Sequence, residues 1–341
     1  MLRVRVERLL FILLCCALRC AAEIIYSSPV HYPITLAGNF GEPRPAHFHG
    51  GIDVKTDRQE GKAIYAIAGG YVSRIKANVD GYGNAVYIRQ PDGHTTLYCH
   101  LKAFSPRITA AINRRRAQVG NDSCEVFLKA TDIPVAEGQF IAFSGNSGHS
   151  FGPHLHLEVR QTSDWAMLDP LNYLSQFVRD TTAPEAVAFR VYPQDTLSYF
   201  ANSNEPSVHA FSDEVFEAWG NLGFAIRAND HMDSIYNNLG VRYTNLYVDD
   251  REAFRSNVDN IPKAKNPLID VWGDSAYYNK NKVWFLKSFI EPANTLPFLW
   301  ADSRKGIIYI GQERDYRLKY VLSDIYGNKT VCEIRIRGKK R

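Results

Sequence analysis

Three short stretches hold histidines at spacings that chemistry can use: HFHGGID (47–53), TTLYCHL (95–101) and GPHLHLE (152–158). On a strand, side chains at i and i+2 share a face. His154 and His156 therefore point the same way, while Leu155 and Leu157 turn toward a core. Gly50-Gly51 permits a bend after His49, and Asp53 then emerges on the face opposite Ile52 and Val54. In the remaining stretch, alternation places Thr96, Tyr98 and His100 on one face and Leu97, Cys99 and Leu101 on the other. His49, Asp53, His100, His154 and His156 can then converge in one groove. A catalytic zinc takes three protein ligands and leaves a fourth position to water. Two neutral imidazoles and one carboxylate meet that demand, and they leave enough positive charge to acidify a bound water toward a pKa of about 7. The chain has no H-E-x-x-H, so a proton acceptor must come from the spare histidines.

The elements that must position these residues read as mainly β. AIYAIAGGYVSRIKA carries period-2 stretches, and NAVYIRQ and HTTLYCHL flank Pro91-Asp92-Gly93, a hairpin signal. SPRITAAINRRRAQVG reads as one inserted helix, with Ser105 as N-cap, Pro106 at the first helical position and Gly120 as its end. Strands resume in QFIAFSG and PHLHLEVR. Asp169-Pro170-Leu171 opens a short helix, and DTTAP (180–184) reads as a linker. Beyond it, FAIRAND, GVRYTNLYVDD, GIIYIG, YRLKYVLSD and TVCEIRIR alternate, and Ile325–Lys329 reads as a hairpin turn. This predicts an antiparallel β-sheet domain with a groove over 23–182, then an immunoglobulin-like β-sandwich over 183–341. The second part exceeds the ~100 residues of one such unit, and the surplus is placed in an insertion around 251–305.

Hydrophobic residues make up 45% and charged residues 22%, as in a globular protein. Arg3, Arg5 and Arg8 precede the apolar run Leu9–Leu18 and the small residues Cys20-Ala21-Ala22, the layout of a secretory signal peptide over 1–22. Ten apolar residues are too few to span a bilayer. The expected location is the periplasm or cell envelope, with no transmembrane helix in the mature chain. Losing four arginines and Glu7 brings the charge balance to +1, which gives no footing for nucleic acid. Cys99, Cys124 and Cys332 remain, so at most one internal disulfide can form.

The set HFHGGID, GYGN, TTLYCHL and GNSGHSFGPHLHLE resembles the lysostaphin-type zinc endopeptidases of peptidoglycan, from about Asn39 to Asn172 and in the family's order. GNFGEPRPAHFHGGIDVKT is similar to exported Gram-negative members with a β-sandwich behind the peptidase. The resemblance implies that His49, Asp53 and His156 hold one Zn²⁺, with His49 chosen over His47 because the family's aspartate follows its histidine by four. It implies that His154 and His100 are the unligated catalytic histidines, His154 as base and His100 as stabiliser. Asn84 and Tyr82 would touch substrate. The substrate would be peptidoglycan stem peptides, cut between D-alanine and meso-diaminopimelate. An alternative is a wall-binding or amidase-activating module whose groove is plugged by 102–134 or by the rear domain. That rear domain would dock an envelope protein, hold glycan or position the peptidase.

Other residues carry blander expectations. His94 and His149 are read as solvated, Cys99 as a buried thiol on the core face and Arg114–Arg116 as a wet helix face. Glu158 is either a partner of a ligating imidazole or a solvated carboxylate. Asn229–Asp233 is read as a turn, because it lacks the spacing of a calcium loop.

Overall fold

The computed structural model describes residues 25–341 except Ser234, so the expected signal peptide lies outside the described residues. The first part is built on one large sheet. Its strands run in the order Leu36–Gly38, Ile52–Lys55, His154–Gln161, His94–Cys99, Gly83–Arg89, Gly70–Val79, Cys124–Phe127. Neighbouring strands on this path pair antiparallel. One face buries Ile52, Val54, Val72, Ile75, Val86, Ile88, Tyr98, Leu155 and Leu157. A three-stranded sheet (Ala63–Tyr65, Phe140–Phe143, Ala103–Phe104) and the helix Pro106–Val119 close over that face. The helix inserts Ile108, Ala111 and Ile112 and ends on Gly120 in the left-handed region. The inserted helix therefore lies on the core side of the sheet, away from the groove.

Strand alternation misassigns one of the three histidine stretches. Leu97 and Cys99 point to the groove face, where they pack with Ala85, Tyr87, Tyr82 and Trp165. Tyr98 points to the main core, its hydroxyl accepting from the Ile67 N–H at 2.8 Å. His100 still reaches the groove because the strand ends at Cys99 and His100 adopts φ 58°, which breaks the alternation.

The second part curls around its own core of Phe189, Phe200, Phe224, Phe254, Leu318 and Tyr320, among others. The long strand Val215–Asn229 serves both sides of the curl. Its later residues pair with Glu185–Pro193, and its first residues pair with the end of Lys329–Gly338. That last pairing is parallel, a departure from the purely antiparallel expectation. Arg251–Asn257 belongs to the sheet, pairing with Tyr243–Val248, so the insertion begins after it. The inserted residues form short helices (Ile269–Trp272, Ser275–Asn281), the first of which packs back on the first part. Phe40, Phe48 and Met167 meet Val258, Ile261, Ile269, Trp272 and Leu296 in one apolar cluster. Met167–Leu168 pairs with Asn260–Ile261, and Met232 and Leu239 bury in the first core. The two parts are thus knit by backbone, core and the buried Arg242–Asp169 pair at 2.6 Å.

Candidate metal centre

The HFHGGID bend is forced by close approach. A Cβ on Gly51 would sit 2.2 Å from the Leu157 carbonyl oxygen, so only glycine lets this segment lie against the strand His154–Gln161. On either side of the bend, His49 exchanges backbone hydrogen bonds with Gly41 and Glu42, and Asp53 pairs in register with His156.

Three atoms converge there. His49 Nε2 lies 3.1 Å from Asp53 Oδ1 and 3.0 Å from His156 Nδ1, and His156 Nδ1 lies 2.8 Å from the same carboxylate oxygen. The outer nitrogens are already committed. His49 Nδ1 faces the Asn39 carbonyl oxygen at 2.6 Å, which can only accept, so that nitrogen carries a proton. His156 Nε2 faces Glu158 Oε1 at 3.0 Å. With neutral rings, two lone pairs and a carboxylate oxygen point into one space with no donor among them. A cation satisfies all three, and ligands about a tetrahedral Zn²⁺ stand ~3.3 Å apart. The donor set therefore fits a zinc ion held by His49, Asp53 and His156. Without an ion a proton takes that space. Burial would lower the His156 pKa, but Asp53 and Glu158 outweigh it and push it up to about 9. Burial holds His49 down.

Asp53 presents only one oxygen to this space. Its Oδ2 accepts from Arg44 at 3.0 Å, and Arg44 in turn lies 3.5 Å from Glu42. Burial alone would raise the Asp53 carboxyl, yet the histidines around it hold it well below the usual carboxylate range.

His100 and His154 form a second imidazole pair, with ring centroids 4.9 Å apart. Each is anchored through Nδ1 on a loop carbonyl, His100 on Ser147 at 2.8 Å and His154 on Gly152 at 2.8 Å. As neutral rings, both would present a bare Nε2 to the groove, and that of His154 is 3.4 Å from Asp53 Oδ1. Burial, with His156 and His154 nearby, lowers His100 to about 4. His100 is neutral in the resting site.

Glu158 is buried, so its solvated alternative is corrected. Besides His156 it accepts from Tyr82 Oη at 2.6 Å and from Arg160 Nε, while Arg160 also donates to Tyr82 Oη at 2.9 Å. Burial opposes its charge, but Arg160 and His156 hold Glu158 down at about 2. A carboxylate behind a ligating imidazole fixes the tautomer and raises ligand basicity. Removing one member of such a buried ion pair typically costs about 3–5 kcal/mol.

Residues 47–121 match the model of peptidase family M23. The chain carries a peptidase family M23 domain. It is 39% identical over 112 residues to the DD-carboxypeptidase/endopeptidase Mpg of Neisseria meningitidis serogroup B, covering 33% of this chain and 20% of that protein. It is 30% identical over 127 residues to an uncharacterized metalloprotease of Haemophilus influenzae, covering 37% and 20%. The chain thus spans about a fifth of the length of the curated relatives it matches. Among solved structures, the catalytic domain of lysostaphin from Staphylococcus simulans aligns at 24% identity and a TM-score of 0.30, over 40% of this chain and 89% of that one.

His49, Asp53 and His100 lie within the matched residues, and the structure brings His154 and His156 to them from beyond that match. Other expectations change. Asn84 spends its side chain on the backbone, accepting from Asn78 N–H and donating to the Leu101 carbonyl, so it holds the turn that carries His100. Tyr82 stacks on His156, and its hydroxyl is committed to Glu158. His47 turns outward onto the Pro45 carbonyl and stands apart from the convergent atoms. His149 is exposed as expected, but His94 is packed between Tyr26, Asp92 and Tyr173. Cys99, Cys124 and Cys332 are all unpaired.

Sequence reasoning gave no role to Asn39, Arg44 or Arg160. Arg44 precedes Asp53 by nine residues and Arg160 follows Glu158 by two on the same strand face, the only local signals for either. It also took Asn229–Asp233 for a plain turn. Asp230 instead meets Asp180 and Asp324 where the two parts join. Burial pushes Asp230 up to about 8 and Asp180 up to about 6.

Proposed function

We propose that this chain is an exported zinc metalloendopeptidase that hydrolyses peptide cross-links of peptidoglycan, at the bond between D-alanine and meso-diaminopimelate. The observation that carries the reading is the donor-free meeting of His49 Nε2, His156 Nδ1 and Asp53 Oδ1. An ion held there supplies Lewis-acid activation of water and of the scissile carbonyl. Glu158 and Asn39 keep the two ligand rings in the tautomers that offer lone pairs inward. Arg44 keeps Asp53 turned so that one oxygen faces the centre. His154, its Nδ1–H fixed on Gly152, offers Nε2 to take the proton of the attacking water. His100 starts neutral and so adds no charge to compete with the ion. The proton that His154 takes from the water passes to His100 Nε2, on the ring 4.9 Å away, and the imidazolium so formed stabilises the carbonyl oxygen and gives that proton to the leaving amine. Export follows from the basic, then apolar, then small-residue N-terminus, and among the described residues no helix is long and apolar enough to cross a membrane.

The test is mass spectrometry of fragments released from purified sacculi by the mature chain, with and without a chelator. Cross-linked dimers should resolve to monomers only while metal is present. Undiminished release from chelator-treated protein would sink the proposal.

A further inference from the structure

The groove face of the large sheet continues past the metal centre. The register places Leu97 beside Glu158 and Tyr87 beside Leu97, then Arg74 beside Tyr87 and Phe127 beside Arg74, all on the face that carries His156. The next row holds Arg160, Thr95, Arg89 and Tyr71. Between these rows lies a hollow of about 280 Å³ walled by Tyr71, Tyr87, Phe127 and Trp165, with Arg89 and Thr162 at its edge.

Two features set this hollow apart from ordinary surface. Trp165 holds φ 62°, a conformation that bulky residues rarely adopt, and its ring covers Arg160 at 5.8 Å and meets Tyr87 edge-on at 6.4 Å. Its indole N–H finds no acceptor among the described residues. Phe127 is 72% exposed, with Arg74 lying over its ring. Arg74 is paired to Glu125, but the exposed Arg89 makes no ion pair among the described residues. The hollow thus offers the open sides of Tyr71, Phe127 and Trp165 above a floor of buried Tyr87, with hydroxyls and one free guanidinium. That set suits an N-acetylated sugar ring, which has an apolar C–H face and a polar rim of hydroxyl and acetamide oxygens.

Distance selects the occupant. Two strand spacings of ~4.8 Å across and about three residues of ~3.3 Å along put the hollow ~14 Å from the ligand row. A peptidoglycan stem of about four residues, extended, also reaches ~14 Å. We infer that the hollow is a saccharide subsite: it seats an N-acetylated amino sugar of the glycan strand whose stem peptide enters the metal centre, with Arg89 donating to the acetamide oxygen of that sugar. The inference rests on the peptidase reading above and deepens it. Glycan attachment, and not peptide sequence alone, then sets how well a cross-link is held.

The experiment compares cleavage of cross-linked peptides with and without their disaccharides by the zinc-loaded mature chain, and separately titrates the free N-acetylglucosamine–N-acetylmuramic acid disaccharide. The glycan-bearing substrate should show a KM roughly tenfold lower at similar kcat, an aromatic stacking energy expressed as affinity. Arg89→Ala and Trp165→Ala should bring the two KM values together and weaken disaccharide binding. Arg89 is exposed, so its variant keeps the test valid if Trp165→Ala fails to fold. Equal KM values in the wild type, or a gap that survives both substitutions, would overturn the subsite while leaving the peptidase intact. Disaccharide binding by a chain that cuts neither substrate would uphold the subsite and remove the peptidase reading.

Discussion

The cluster of titratable groups at the candidate metal centre and the one at the seam between the two parts are built in opposite ways. At the candidate metal centre, Asp53 leans on Arg44, and His156 leans on Glu158, which leans on Arg160. Every charge has an outer partner, so Asp53 and Glu158 stay ionised despite burial. At the seam, Asp180, Asp230 and Asp324 crowd together while Arg242, which lines the same pocket, is spent on Asp169 and Asn172. There burial wins and raises Asp230 and Asp180. Burial of acidic groups does not by itself make a reactive centre. The outer partners decide whether the charge survives to do chemistry.

The largest effect should come from the centre itself. His156→Ala should lose both zinc, read by elemental analysis, and hydrolysis, whereas His154→Ala should keep the zinc and lose turnover by ~10²–10⁴-fold. Equal loss of metal in both would erase the distinction between ligand and proton acceptor. Next, Glu158→Gln keeps shape but withdraws the outer charge. Zinc affinity, measured by chelator competition, should fall about 10–100-fold. An unchanged affinity would mean the outer carboxylate only fills space.

At the seam the sign reverses. A carboxyl whose folded pKa is raised favours the folded state fully below its unfolded value, near 4, and that contribution is lost as pH rises through about 8. The melting temperature of Asp230→Asn should therefore gain on wild type as pH climbs from about 4 to 8, with little difference below. A gap that closes with rising pH would show Asp230 to be stabilised as an anion. The smallest effect is expected from Arg44→Ala, a partly exposed cation. Asp53 would lose its tether, and zinc affinity should fall a few-fold, again read by chelator competition.

These two clusters also mark what the sequence could disclose. The centre was legible because its residues sit in three local motifs, and strand period correctly gives His154 and His156 one face and Asp53 the face opposite Ile52 and Val54; the register that sets Asp53 opposite His156, and His156 opposite Cys99, comes from tertiary pairing. The strands, the hairpin at Pro91–Gly93, the inserted helix and the mainly β class followed from the same local patterns. The seam was hidden because Asp180, Asp230 and Asp324 come from three distant segments joined only by tertiary packing. His100 shows an intermediate case. The sequence reading put it on the groove face for the wrong reason: Tyr98 and Cys99 do alternate, but in the opposite phase, and left-handed His100 breaks the alternation and so turns to the groove. Glu158 and Arg160 were on the right face, but their burial depended on Tyr82, which arrives from another turn.

Asn39 exchanges two hydrogen bonds with Gly240, each 2.7 Å long, while its own carbonyl orients His49. A ligand ring is thus steadied by a stretch of chain some two hundred positions downstream. Cutting the protein after residue 182 would unseat that ring and bare Phe40, Phe48 and Met167 to water. A sluggish or sticky fragment would then report a broken hinge pin, and the rear half would deserve to be counted as a component of the reaction chamber and not as its trailer.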